Sequence, residues 1–231
     1  MYRYLLLDFD NTLVNFNETE RRTLRVTFSA LFGRSLTDEE TELYHRINDE
    51  CWKMLERKEI DKPMLQKLRF RRYTEALGLT GADVMEVNRT YMDNLAKTVV
   101  EYPFSYDVCR RLAEQYELYV ITNGTTHIQK ARLAGTRFAP FIRNLFISDE
   151  IGVNKPAPEY FDAVEREIGD PDRSRYLVIG DSVTSDIRLG KNTGVDTCFV
   201  GTAENDADYT IASLEELPDL LAGLSGQTEA D

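Results

Sequence analysis

Asp8 and Asp10 stand two residues apart at the end of an apolar run, Tyr4–Asp8, near the start of the 231-residue chain. In extended backbone a period of two aims both carboxylates to one side, so if the strand conformation persists the two charges share one small space. That is costly unless a cation neutralises one of them or the other keeps a proton, and either outcome serves phosphoryl transfer. An Asp pair after a strand is also an ordinary turn former, and the spacing is compatible with both readings.

Asp181 closes another apolar run, and Asp186 follows at the start of a helical pattern. A carboxylate at the carboxyl end of a buried parallel strand projects into the crevice where doubly wound sheets bind ligands. Asp186 by itself also fits simple compensation of a helix N-terminus. Together, Asp8 and Asp181 offer hard oxygen ligands of the kind Mg²⁺ prefers. Thr122-Asn123-Gly124 ends a further apolar run and leads into a helix, which would bring a hydroxyl and free backbone N–H groups to the same crevice as an anion site. The same triplet is also an Asn-Gly turn. Lys155 precedes Pro156, Ala157 and Pro158, a stiff segment, although a lone Lys is usually a solvated surface group. What joins these residues is that four consecutive strands, in chain order, each deliver polar groups at their carboxyl ends.

The elements that must position them are short apolar runs alternating with helical patterns, as a parallel sheet covered on both faces requires. Strands are expected at Tyr4–Asp8, 118–122, 145–148, Tyr176–Gly180 and 197–200, with 208–211 a weaker edge. Crossover helices are expected near 106–115, 125–134, 157–168, 184–193 and 213–223. This part is α/β, a doubly wound (Rossmann-like) parallel-sheet core. Residues 17–96 break the rhythm with four successive helical patterns, which predicts an inserted all-helical cap domain, 17–96, and a core domain made of 1–16 and 97–231. Asn17 with Glu20, and Thr37 with Glu40, have capping-box spacing. Apolar faces follow at helical period: Leu24, Phe28, Leu31; Leu43, Ile47, Cys51, Met54; and Val84, Val87, Tyr91, Leu95. Leu65, Leu68 and a stop at Gly78 outline the third helix, and 223–231 reads as a frayed tail.

Lys plus Arg number 28 against 40 Asp plus Glu, a net charge of −12 that repels a phosphate backbone or an anionic membrane. No nucleic acid polymer and no membrane partner is expected. Leu5-Leu6-Leu7 is too short for a signal-peptide core or a membrane span, so a cytoplasmic protein is expected. Cys51, Cys109 and Cys198 are odd in number and widely spaced, which fits reduced core thiols better than a disulfide framework or a zinc site. With only His45 and His127 in the chain, a His-rich metal site or a Ser-His-Asp triad has little support, and catalysis falls to carboxylates.

Asp8-Phe9-Asp10-Asn11-Thr12, Ile121-Thr122-Asn123-Gly124, Lys155-Pro156 and Gly180-Asp181-Ser182 with Asp186 resemble the four motifs of the haloacid dehalogenase (HAD) superfamily of phosphohydrolases. The resemblance spans the whole chain, including a helical cap of the C1 type between the first two motifs. It implies that Asp8 is a nucleophile forming an aspartyl-phosphate. Asp10 then protonates the leaving oxygen and afterwards activates water. It also implies that Thr122, Asn123 and Lys155 hold the phosphoryl group, and that Asp8, Asp181 and the backbone carbonyl of Asp10 bind Mg²⁺. Asp186 corresponds to the second acidic residue of the fourth motif, orienting Lys155 or a water on the metal. The physical logic agrees, because an anionic nucleophile cannot approach a phosphate dianion until Mg²⁺ and Lys155 offset the repulsion. Asp10 argues against true dehalogenation, since dehalogenases of this superfamily lack the metal and the second aspartate.

Within the superfamily, 121–124, 151–156 and 170–175 resemble the YjjG-type pyrimidine 5′-nucleotidases, which implies a small phosphomonoester substrate such as dUMP, UMP or dTMP. One departure is Phe104, where relatives often carry Gly after the Pro. Phosphatases for sugar phosphates or phosphoglycolate share this core, and a non-enzymatic phospho-Asp switch is a remote alternative. Phe16, Asn48, Trp52, Arg69 and Phe70 are the specificity candidates of the cap, since an aromatic stacks on a base and Asn pairs with its edge. Trp52 and Phe70 read equally as cap core, and Arg69 as part of a solvated basic face with Arg71 and Arg72.

Overall fold

The computed structural model describes residues 1–228, with side chains to Leu224. The chain runs β1 (Tyr4–Asp8), α1 (Phe16–Phe32), α2 (Asp38–Glu56), α3 (Lys62–Ala76), α4 (Val84–Leu95), α5 (Ser105–Leu112), β2 (Glu117–Thr122), α6 (Thr126–Ala134) and β3 (Ile142–Ile147). It continues through α7 (Ser148–Ile151), α8 (Pro158–Ile168), β4 (Tyr176–Gly180), α9 (Arg188–Thr193), β5 (Asp196–Val200), β6 (Tyr209–Ile211) and α10 (Leu217–Thr228). Two compact units result: Met1–Asn15 with Glu101–Asp231, and Phe16–Val100.

In the first unit the described strands form one six-stranded sheet, ordered β3-β2-β1-β4-β5-β6, with every neighbouring pair parallel. All five residues of β1 and of β4 are buried, as expected of apolar strands covered on both faces. Leu6, Ile121, Val178, Phe161 and Tyr176 belong to a core cluster on one side of the sheet. The strand order reverses between β1 and β4, whose Leu7 and Ile179 are register partners. A doubly wound sheet therefore opens its ligand crevice beyond the carboxyl ends of these two strands.

Three elements differ from their expected extent. Pairing of β3 with β2 begins at Ile142, ahead of the apolar run, because Arg143 and Asn144 are exposed and carry no hydrophobic signal. The expected helix 184–193 is divided into a π-helical turn, Val183–Ile187, and α9. Helix α10 continues through 223–228, where a frayed tail is expected, and 229–231 lie outside the described residues.

The helical unit begins at Phe16, one residue before Asn17. Glu20 forms no capping box with Asn17, because its buried carboxylate is taken by Asn48 Nδ2 at 2.8 Å and lies 2.9 Å from His45 Nδ1. The Thr37–Glu40 box does form: Glu40 N donates to Thr37 Oγ1 at 3.2 Å, and Thr37 N to Glu40 Oε2 at 3.0 Å. Asp61 caps α3 through Met64 N at 2.8 Å, and Gly78 ends that segment at φ +69°, a conformation glycine adopts without strain. Tyr44 stacks on Phe70 at 5.2 Å and meets Tyr73 edge-on, forming an aromatic core. All three cysteines are free and buried. Burial pushes the Cys109 and Cys198 thiols up to about 12. No helix among the described residues is long and apolar enough to cross a membrane.

Candidate active site

Asp8 is the last residue of β1, and Asp181 follows the last residue of β4, so the strand reversal brings both carboxylates to one crevice. Lys155 is 1% exposed, and its ammonium has three acceptors for three protons: Asp8 Oδ1 at 2.7 Å, Asp186 Oδ1 at 2.6 Å and the Ile121 carbonyl at 3.0 Å. Lys155 is thus no solvated surface group. Burial alone would lower its pKa, but Asp186 and Asp8 outweigh that and hold it above its ordinary value, so it stays charged. Asp186 reaches inward from the π-helical turn, where Ser182 N donates to its Oδ2 at 3.1 Å. That approach needs glycine at 180, since a Cβ there would lie 2.2 Å from Asp186 Oδ2.

One oxygen from each of Asp8, Asp181 and Asp186 lies within 4.8 Å of the others. Three carboxylates around one ammonium leave excess negative charge in a buried place. Burial, together with Asp186 and Asp181, raises Asp8 well above the usual carboxylate range in spite of Lys155. Burial first, then Asp186, pushes Asp181 up to about 7. A hard divalent cation meets both needs of this donor set, since it is coordinated by carboxylate oxygens and neutralises them.

The anion site is narrower than the sequence suggests. The Thr122 N–H donates to Tyr160 Oη at 2.9 Å and the Gly124 N–H to Ser148 Oγ at 3.2 Å, so two of the backbone donors expected to face the crevice are already committed. The Asn123 amide clamps Lys155 instead of facing the crevice: Oδ1 accepts from Lys155 N and Nδ2 donates to Lys155 O, both at 2.9 Å. Thr122 Oγ1 accepts from Gln129 Nε2 at 2.8 Å, which leaves its own proton to donate elsewhere.

Asp10 is not part of the Asp8, Asp181 and Asp186 cluster, although its charge acts on Asp181. Regular β1 pairing ends at Asp8, and the backbone turns at Asn11 with φ +63°, so the period-two expectation lapses within two residues. The Asp10 carboxylate faces α6, accepting from Gln129 Nε2 at 2.9 Å and pairing with Arg132 Nη2 at 2.6 Å. Sequence reasoning did not single out Gln129 or Arg132. Their signal is a Gln and an Arg three residues apart, beside Ile128, on the helix that follows Thr122-Asn123-Gly124.

The specificity candidates all belong to the helical unit. Phe16 opens α1 and is half-buried. Trp52 is half-buried and packs against the Cys51, Leu65 and Leu68 cluster, whereas Phe70 is fully buried in the aromatic core. Arg69 is 4% exposed and not on a solvated face: it donates to Asn48 Oδ1 at 3.2 Å and Asn88 Oδ1 at 2.9 Å, and lies over the Phe70 and Tyr91 rings. Asn48 links it to Glu20.

The chain matches the family model of haloacid dehalogenase-like hydrolases over residues 2–194. It is 31% identical to the HAD-hydrolase YfnB of Bacillus subtilis over 226 residues, 95% of each chain. The crystal structure of YfnB bound to magnesium has a TM-score of 0.88, covering 95% of this chain and 98% of that one. Identity is 31% to the pyrimidine 5′-nucleotidase PynA of Streptococcus pneumoniae over 229 residues, 95% of each chain. It is 29% to the pyrimidine 5′-nucleotidase YjjG of Escherichia coli over 225 residues, 94% of this chain and 97% of that. With its parallel sheet and the carboxylates gathered at the carboxyl ends of the strands, this chain belongs to the haloacid dehalogenase-like hydrolases.

Proposed function

We propose that this hydrolase is a Mg²⁺-dependent phosphomonoesterase that passes the phosphoryl group through Asp8, with pyrimidine nucleoside 5′-monophosphates as its substrates. The observation that carries the reading is the buried contact of Lys155 with Asp8, inside a cluster of carboxylates that a divalent cation would complete. The kinship to PynA and YjjG supports the substrate class.

An Asp8 oxygen attacks phosphorus, and the bond to the ester oxygen breaks. Asp10 gives its proton to that oxygen, which leaves as the alcohol. Asp10 then takes a proton from water, whose oxygen attacks phosphorus on Asp8, releasing phosphate and restoring the carboxylate. The Thr122 hydroxyl holds a phosphoryl oxygen and the Lys155 charge offsets the repulsion between Asp8 and the phosphate, while Asn123 keeps Lys155 in place by its backbone and Asp186 by its charge. Asp8, Asp181 and the Asp10 carbonyl would hold Mg²⁺. When bound, the ion supplies the positive charge that lets a carboxylate meet a phosphate dianion.

The test is the initial rate of phosphate release with Mg²⁺ from dUMP, UMP, dTMP, AMP, GMP, phosphoglycolate and hexose phosphates. Pyrimidine nucleotides standing well above the rest is the expected result. Activity on a sugar phosphate or phosphoglycolate alone overturns the substrate class, and silence with every phosphomonoester overturns the reaction.

A further inference from the structure

We propose that Gln129 and Arg132 are positioning residues that set the direction of the Asp10 carboxylate and of the Thr122 hydroxyl for the reaction; this rests on the roles proposed above for Asp10 and Thr122.

Gln129 Nε2 has two protons and two acceptors, Asp10 Oδ2 at 2.9 Å and Thr122 Oγ1 at 2.8 Å. Gln129 Oε1 accepts from Arg132 Nη1 at 2.9 Å. A flipped amide would face Nε2 toward the guanidinium and Oε1 toward a carboxylate, so Arg132 fixes the orientation of Gln129. Arg132 Nη2 also forms an ion pair with Asp10 Oδ1 at 2.6 Å, so the Gln129 amide bonds one carboxylate oxygen and the guanidinium charge stands against the other.

Arg132 is itself enclosed by packing. It is 1% exposed, with its guanidinium carbon 5.0 Å from the centre of the Phe9 ring, and Phe9 packs edge-on against Phe138. Gln129 is buried over Gly124, where a Cβ would come within 2.6 Å of Gln129 Cγ, so the glycine of the Thr122-Asn123-Gly124 turn makes room for it. An enclosed cation thus orients an amide, and the amide orients one reacting carboxylate and one phosphate-binding hydroxyl together. Misplacing a reacting group by about 1 Å costs on the order of a hundredfold in rate, which is the scale such a device protects.

The experiment compares kcat/KM for p-nitrophenyl phosphate and for the leading alkyl phosphate of the substrate panel, in Asp10→Asn, Gln129→Glu and the double variant. This ratio reports steps up to phosphoryl transfer, where an alkoxide needs a proton to leave and p-nitrophenolate does not. Gln129→Glu keeps the shape and the Arg132 contact but replaces the shared donor by an acceptor. Gln129→Met, judged by the same criteria, is the second variant should the glutamate disturb folding, and thermal melts monitor both. Expected is a loss for the alkyl ester at least tenfold greater than for the aryl ester, in Gln129→Glu as in Asp10→Asn, beside a smaller loss shared by both esters through Thr122, with the losses on the alkyl ester less than multiplicative in the double variant. Equal losses on both esters, or losses that multiply in the double variant, overturn the proposal and reduce Gln129 to packing. If Asp10→Asn itself shows no leaving-group dependence, the role of Asp10 fails and this inference with it, an outcome distinct from failure of Gln129 alone.

Discussion

Lys155 Nζ lies 2.6 Å from Asp186 Oδ1, with both side chains 1% exposed, and the same ammonium holds Asp8 at 2.7 Å. Asp186 therefore shares a buried cation with the proposed nucleophile. Replacing Asp186 by Ala leaves that cation paired with Asp8 alone and also relieves the repulsion Asp186 exerts on Asp8 and Asp181, so the loss falls short of the ~3–5 kcal/mol of an uncompensated buried charge. Urea unfolding of Asp186→Ala should show a smaller loss than that, accompanied by lower kcat/KM; unchanged kcat/KM would mean that the Lys155–Asp186 contact does not serve the reaction.

Gly180→Ala approaches the same contact from the other side. The new methyl would meet Asp186 Oδ2 at 2.2 Å, so the carboxylate must shift at the expense of its contact with Lys155. The expected outcome is a loss of kcat/KM on the order of a hundredfold, together with a lower melting temperature. A fully active Gly180→Ala enzyme would show that Asp186 need not hold its position.

These contacts were legible in the sequence to different degrees. Strands β1 and β4 announce themselves because every residue is apolar or lies at the crevice, and burial on both faces leaves an uninterrupted run. Asp8 and Asp181 are recognisable for the same reason, as polar residues at the ends of such runs, whereas Lys155 and Asp186 stand out only through the four-motif resemblance. The direction of Asp10 was not legible, since it depends on the turn at Asn11 and on two partners from a helix more than a hundred residues away. Arg69 misleads differently. Its neighbours Arg71 and Arg72 suggest a basic face, whereas Asn48 and Asn88 from α2 and α4 provide the acceptors that let a guanidinium be buried.

Divalent cations should stabilise the protein more at pH 8 than at pH 6. Asp181 is raised to about 7 from an ordinary value of 3.8. In the absence of a cation it therefore contributes stability that is fully present below the unfolded value and is lost as pH rises through about 7. A bound ion replaces the proton and removes the penalty of the ionised cluster. Thermal melts with and without Mg²⁺ at the two pH values check this, and a shift independent of pH, or no shift, counts against Asp181 as a ligand.

Phe70→Ala tests the assignment of an aromatic specificity candidate to the core. Phe70 is fully buried, stacks on Tyr44 and meets Tyr91 edge-on at 5.1 Å. Truncating such a ring costs about 3–5 kcal/mol. Denaturant unfolding should show that loss while the ranking of substrates stays as in the wild type; a changed ranking at unchanged stability would return Phe70 to the specificity set.

His45 provides a second pH dependence, within the helical unit. Its Nδ1 lies 2.9 Å from Glu20 Oε2, and the hydrogen bond to that carboxylate raises the imidazole above its ordinary value of 6.5 against an opposing effect of burial. A histidine raised in the folded state contributes stability that is complete below the unfolded value and disappears as pH climbs through the folded one. Above that window Glu20 keeps the Asn48 amide as a donor but faces a neutral ring. Unfolding free energy should therefore decline as pH rises from about 6.5, and His45→Gln should remove that part of the decline. Because the ring is 39% exposed, solvent screens the pair and the effect should be small and should shrink further in high salt. An identical pH profile in His45→Gln at low salt would show that the Glu20 contact does not couple to folding.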